Sequence, residues 1–281
     1  MEHVFFEWGP FEVTAYSFFF TVSVIVGLLL YYHEGMRKGI NADQVISVAI
    51  ASLVGGMVGA RVAYIVFVDI DYYRQNLEEV FSFQDGGLSF LGGLLGALLA
   101  AKIFSTIAGF SLKQLMDAAA PALALSGAIS LIGFSSKGEI TFSTLPWAIE
   151  SNGYYTHPEQ AYMIILFYLL FLVLWQKRTA LEYHGQLFTW FLIGYGGSAF
   201  IVDFFKMTQE FIYIFSFSQI FCLVIVVAGV FYMVVVEKSM IDAQYRFTEE
   251  LTFSLPKIIF KSFVFAVLIV VSVYIHFFLH Q

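Results

Sequence analysis

Eight apolar stretches, each near the length that crosses a bilayer, constrain this chain more than any other feature. They run Val13–Tyr32, Val45–Val68, Leu88–Ala108, Leu115–Phe134, Gln160–Gln176, Gln186–Phe205, Ser218–Val236 and Ile258–Phe278. A hydrocarbon core about 30 Å thick needs roughly 20 apolar residues in a helix. Inside it, backbone groups must be satisfied within the segment, so these stretches are expected to be helices. Pro121 falls inside the fourth and is expected to kink it. Composition agrees: 59% of residues are hydrophobic and 12% charged, against about 25% charged in average soluble domains. That balance excludes a soluble globular enzyme and a disordered chain. A formal net charge of −7 removes the basic field that a nucleic-acid partner requires. One cysteine, Cys222, excludes an internal disulfide and a multi-cysteine metal site. It is read as a packing residue within the seventh stretch. Glu2, Glu7 and Glu12 stand where a signal peptide would be basic, so none is expected.

Loop charges alternate along the chain. Arg37 and Lys38, Lys113, Lys177 and Arg178, and Lys238 and Arg246 fall in every second connection, whereas Asp69, Asp71, Glu78, Glu79, Asp85, Glu139 and Glu150 fall in the others. The positive-inside rule then places the N-terminus outside. The two longest connections, 70–87 and 135–159, lie on that outer side, where long loops often serve as lids or binding elements.

Ionisable groups at membrane depth are costly and mark function or pairing. Arg61, in Gly59-Ala60-Arg61-Val62-Ala63-Tyr64, has the planar fork that grips a phosphate; pairing with Asp117 or Asp203, or snorkelling, is its structural alternative. Asp203 is either a site residue or a partner of Lys206. Asp117 reads as a helix-start carboxylate. His157 opens the fifth stretch, where a histidine can act as an acid or base or simply cap the helix. His276 and His280 have metal-ligand spacing without a third ligand nearby, so they read as interfacial and no metal is expected. Gly55 and Gly59, and Gly92 and Gly96, have the four-residue spacing that lets helix backbones approach.

Several stretches together resemble one family. Asp85-Gly86-Gly87-Leu88-Ser89-Phe90-Leu91-Gly92-Gly93-Leu94-Leu95-Gly96 is similar to the D-G-G-x-S-F-H-G-G-L-x-G run of the bacterial phosphatidylglycerol–prolipoprotein diacylglyceryl transferases. Gly59-Ala60-Arg61 with Tyr64, His157-Pro158-Glu159-Gln160-Ala161-Tyr162, Gly194-Tyr195-Gly196, Ser218-Gln219-Ile220 and Tyr16 resemble its other signatures in order, over residues 10–235. The resemblance implies an all-α polytopic membrane protein with a seven-helix bundle over residues 1–236; the eighth apolar stretch is an addition to that bundle, a cytoplasmic connector and an extra transmembrane helix over 237–281. It implies transfer of diacylglycerol from a phosphatidylglycerol-like phospholipid to a lipoprotein cysteine, without cofactor, in the bacterial inner membrane. His157, Glu139 and Asp203 would be catalytic, and Tyr16, Arg61, Gly92, Gly93, Gln160 and Tyr195 would bind substrate.

The departures fall on polar positions. Leu91 stands for the family histidine of S-F-H-G-G, Ser130 and Gly133 for an arginine and an asparagine, Ala199 for a second arginine, and Met163 for a glutamate. Lys137 and Lys206 are candidate replacements for the missing charge, without arginine's fork. Two readings therefore stand. One is a divergent transferase. The other, which the lost polar groups favour slightly, is a noncatalytic or repurposed subunit that holds phospholipid or a partner membrane protein.

Overall fold

The computed structural model describes residues 4–8, 11–68, 70–81, 87–134, 140–141, 148–151, 154–205, 215–236 and 255–279. Every one of the eight apolar stretches is helical. The long helices are α1 (Ala15–Arg37), α2 (Ala42–Val68), α4 (Phe90–Ile107), α5 (Leu112–Ile132), α6 (Glu159–Lys177), α7 (Gln186–Asp203), α8 (Phe217–Phe231, continued by a π-helical turn over Tyr232–Val236) and α9 (Leu255–Leu279). A short α3 (Ile70–Gln75) and a 3₁₀ turn (Leu77–Phe81) fill the α2–α4 connection. Among the described residues, five helices are long and apolar enough to span a bilayer by themselves: Ala15–Arg37, Ala42–Phe67, Leu112–Ile132, Glu159–Lys177 and Ser218–Val235. They make the chain a multi-pass membrane protein.

The sequence reading had no strands, and the connections supply short ones. A hairpin of β1 (Val4–Trp8) and β2 (Phe11–Thr14) precedes α1. In the connection before α6, β3 (Ile140–Thr141), β4 (Ile149–Ser151) and β5 (Tyr154–Thr156) form a small antiparallel sheet in the order β3-β5-β4. Both sit outside the helical stretches, where backbone groups have no intrahelical partner.

The chain divides into two compact units, one of residues 32–115 and one of residues 1–31 with 116–281. In the first, α2 and α4 cross so closely that their glycines touch. A methyl group on Gly59 would lie 2.5 Å from the Gly92 carbonyl oxygen and 2.8 Å from Gly96 Cα. One on Gly92 would strike Ala63 Cβ, and one on Gly96 the Gly55 carbonyl. Lipid tails are as apolar as leucine, so helices associate in a membrane by close van der Waals packing, and small residues permit it. Helix α4 also carries Leu95, Leu99, Ile103 and Ile107 with exposures of 67%, 62%, 52% and 79%, the apolar surface that a helix in lipid leaves uncovered. Gly59→Val should force the two helices apart, at about 1–3 kcal/mol for an overpacked contact, measured as a lowered unfolding midpoint in detergent.

The second unit is organised by α5. Its Ala120, Ala124 and Ala128 are spaced four apart and fully buried: Ala120 and Ala124 pack in one cluster with Leu170, Phe171 and Leu174 of α6 and Leu187 and Phe191 of α7, and Ala128 in a second with Ile164 and Tyr168 of α6. Pro121 lies in the interior of this helix. Helix α9 docks on the same body. Phe265 meets Phe171 at 5.5 Å, the Tyr168 and Ser272 hydroxyls bond at 2.9 Å, and His276 Nδ1–H donates to the Ile132 carbonyl at 3.2 Å. His276 is therefore buried and bonded within the bundle, contrary to the interfacial placement expected from spacing, because a carbonyl near the end of α5 lies open to it. His280 lies outside the described residues.

Candidate functional site

The start of α6, the end of α7 and the start of α8 meet at one end of the second unit. The N-cap of α6 is Pro158, which supplies no side-chain cap of its own. Helix α8 starts on a capping box: Ser216 Oγ accepts from Gln219 N–H at 3.1 Å, and Ser216 N–H donates to Gln219 Oε1 at 2.9 Å. The Ser216 hydroxyl also donates to Asp203 Oδ2 at 2.5 Å. One hydroxyl thus ties the last residue of α7 to the first turn of α8, and Asp203 is held at 5% exposure.

Beside Asp203 is a cavity of about 260 Å³. Its polar wall consists of Glu159, Gln160, Tyr195, Asp203 and Ser218, and its apolar wall includes Leu131, Phe134, Met163 and Ala199. Glu159 and Gln160 are 4% and 8% exposed. Gln160 Oε1 is buried with no hydrogen-bond partner among the described residues. Leaving a buried acceptor unmade costs about 1–3 kcal/mol. His157, two residues before Glu159, is fully buried. Its Nδ1 is 2.9 Å from the Tyr162 hydroxyl, the Phe205 ring lies tilted beside it at 5.1 Å, and Nε2 is a second buried polar atom without a partner among the described residues. This end of the unit therefore gathers two carboxyl groups, an amide oxygen and an imidazole nitrogen, all able to accept a proton or a hydrogen bond.

Three of the sequence-expected residues, Gln160, Tyr195 and Asp203, line this one cavity. Tyr16 contacts its rim, edge-on to Phe134 at 5.9 Å. Ala199 and Met163, which stand where the resembled motifs have charged residues, line it too. Glu139, Lys137 and Lys206 lie outside the described residues. Glu159 and Ser216 escaped the sequence reading. The Ser-x-x-Gln spacing of the capping box was the available signal for Ser216. Glu159 was hidden inside a motif read for its histidine.

Arg61, Gly92 and Gly93 belong to the other unit. Arg61 is 5% exposed. Its Nε–H donates to the Val80 carbonyl at 3.0 Å, Nη1 to Gly87 at 3.0 Å and Nη2 to Glu79 at 2.6 Å, and its guanidinium lies 5.1 Å over the Tyr73 ring. The side chain therefore ties down the connection between α2 and α4. Gly87 has φ +79°, and a Cβ there would lie 2.5 Å from Arg61 Nη1, so both backbone and space demand glycine. Gly92 serves the helix crossing described above. Among the described residues, no group of three or more His, Cys, Asp or Glu has the arrangement of a metal site.

Comparisons with known proteins extend this picture. A sequence profile described as Prolipoprotein diacylglyceryl transferase matches residues 3–235. A phosphatidylglycerol–prolipoprotein diacylglyceryl transferase of Clostridioides difficile (strain 630) is 29% identical over 241 residues, 85% of this chain and 97% of the relative. Proteins of the same name from Finegoldia magna and Bacillus mycoides are each 27% identical, over 249 and 263 residues, covering 88% and 89% of this chain and 100% and 97% of theirs.

Proposed function

Because the chain belongs to the prolipoprotein diacylglyceryl transferase family, we propose that its α5–α8 cavity receives the headgroup region of a phosphatidylglycerol-like phospholipid, for diacylglyceryl transfer to a lipoprotein cysteine. One observation carries this reading: Gln160 from the motif that opens α6, and Tyr195 and Asp203 from the motif on α7, line a single cavity together with Glu159. The protein sits in the bacterial plasma membrane with its N-terminus outside. The end of α5, the start of α6, the end of α7 and the start of α8 then share the extracytoplasmic leaflet, where a lipoprotein acceptor arrives.

In the transfer, a thiol loses its proton to a base, the sulfur bonds to the glyceryl carbon, and the carbon–oxygen bond to the phosphate breaks. Glycerol phosphate departs with the electron pair. Asp203, oriented by Ser216, is the base that the geometry favours, with His157 and Glu139 as the alternatives from the motifs. Arg61 contributes by holding the α2–α4 connection.

One observation favours the second reading, a noncatalytic subunit that holds phospholipid or a partner membrane protein. Among the described residues, none lining the cavity is cationic, yet a departing phosphate needs positive charge. Purified protein given labelled phosphatidylglycerol and a cysteine peptide of lipoprotein type decides between them. Transfer predicts a thioether product whose rate falls about 10²–10⁴-fold in Asp203→Asn, the usual worth of a general base. No product from the wild type, with phospholipid still co-purifying, establishes the noncatalytic reading.

A further inference from the structure

We propose that His276 is a positioning residue for the α5–α8 cavity, although its helix α9 lies beyond residues 3–235 that the family profile matches. It holds the end of α5 where that helix forms the cavity wall, which makes the added helix part of the phospholipid site. This rests on the reading that the cavity takes a lipid headgroup, and goes beyond it by giving α9 a role.

Leu131 and Phe134, at the end of α5, line the cavity, and Ile132 falls between them in the chain. The last carbonyls of a helix have no intrahelical donor, so a helix end needs bonds from elsewhere to hold its place. Phe134 N–H turns back to the Leu131 carbonyl at 3.2 Å. The Ile132 carbonyl receives its bond from His276 Nδ1–H at 3.2 Å. His276 is 4% exposed, so this bond is shielded from water. Helix α1 meets the same turn: a Cβ on Gly133 would strike the Ala15 carbonyl oxygen, and Tyr16 lies edge-on to Phe134 at 5.9 Å. The wall is thus fixed by two elements, and one of them is α9.

Helix α9 also packs Ile269, Val273 and Ile275 on the cluster of Ala128 and Ile132 from α5 with Ile164 and Tyr168 from α6. Ile164 follows Met163, another lining residue. The hydroxyl bond of Ser272 falls on Tyr168, about 7.5 Å further along α6 than Met163 at the helical rise of 1.5 Å per residue. One polar tie of α9 therefore acts at the wall and the other away from it.

The test uses full-length protein in detergent, titrated with short-chain phosphatidylglycerol and read by native mass spectrometry, with unfolding midpoints measured alongside. His276→Leu fills similar space without a donor and should weaken binding about fivefold, the contribution of one neutral hydrogen bond. His276→Asn, whose amide N–H stands where Nδ1–H does, should restore it. Ser272→Ala should lower the midpoint and leave the affinity unchanged. Coupling is reciprocal, so bound phosphatidylglycerol should slow hydrogen exchange in residues 272–279 of the wild type about fivefold, a readout that needs no substitution. Binding that weakens in Gln160→Leu but not in His276→Leu overturns the positioning role and leaves the headgroup site standing. So does exchange in 272–279 that lipid does not move. Equal losses of affinity in Ser272→Ala and His276→Leu also overturn it, because general docking of α9 then accounts for both. Binding that responds to neither Gln160→Leu nor His276→Leu removes both readings.

Discussion

Arg61→Ala should lower stability by about 3 kcal/mol or more and free the connection between α2 and α4. Three carbonyls, of Glu79, Val80 and Gly87, share one buried guanidinium. Hydrogen bonds to charged groups contribute about 1.5–3 kcal/mol each, and they are not additive when one side chain supplies all three. Removing the side chain also leaves the Tyr73 ring without its cation. Arg61→Lys keeps the charge but cannot span three acceptors in a plane, so it should recover only part of the loss. The measurements are the unfolding midpoint in detergent and the rate of protease cleavage within residues 70–89. Arg61→Ala protein with unchanged midpoint and cleavage, but weaker phospholipid binding, would instead make this residue the phosphate clamp expected from its motif.

Asp117→Ala should produce a comparable loss by another route. Asp117 is fully buried on α5, and its carboxylate accepts from Gly185 N–H at 2.7 Å and Phe188 N–H at 3.0 Å. Those donors open α7, whose N-cap residue Gly185 has φ +93° and no side chain to cap it. A neighbouring helix thus supplies the cap that the local sequence lacks. Alanine leaves two amide donors without that acceptor, at about 1–3 kcal/mol each, and removes a negative charge from the positive end of the dipole. Asn should cost less, since its oxygen still accepts a bond. Hydrogen exchange at the Gly185 and Phe188 amides would report the opened cap, and slow exchange in Asp117→Ala would rule it out.

The same residue marks how far sequence reading reaches. A carboxylate near a helix start was legible. That it serves α7 from a position 68 residues away was not, because capping geometry depends on which helices become neighbours. Arg61 read as a buried cation, and it is one. Its partners are backbone carbonyls, which carry no signature in the sequence. The glycine pairs on α2 and α4 signalled a close crossing, and only the packed helices show all four meeting in a single contact. At the cavity, Gln160, Tyr195 and Asp203 came from motifs, whereas Glu159 and Ser216 came from the fold.

By itself the sequence determined the helices and the multi-pass character, since length, apolarity and the need to satisfy the backbone in lipid leave few alternatives. It also carried the family, through short motifs in a kept order. The tertiary structure decided which polar groups share a cavity, which cation is bound up in holding a loop, and where α9 docks. Those outcomes hang on contacts between residues far apart in the chain, and in a membrane such contacts follow local shape and hydrogen-bonding opportunity rather than hydrophobicity.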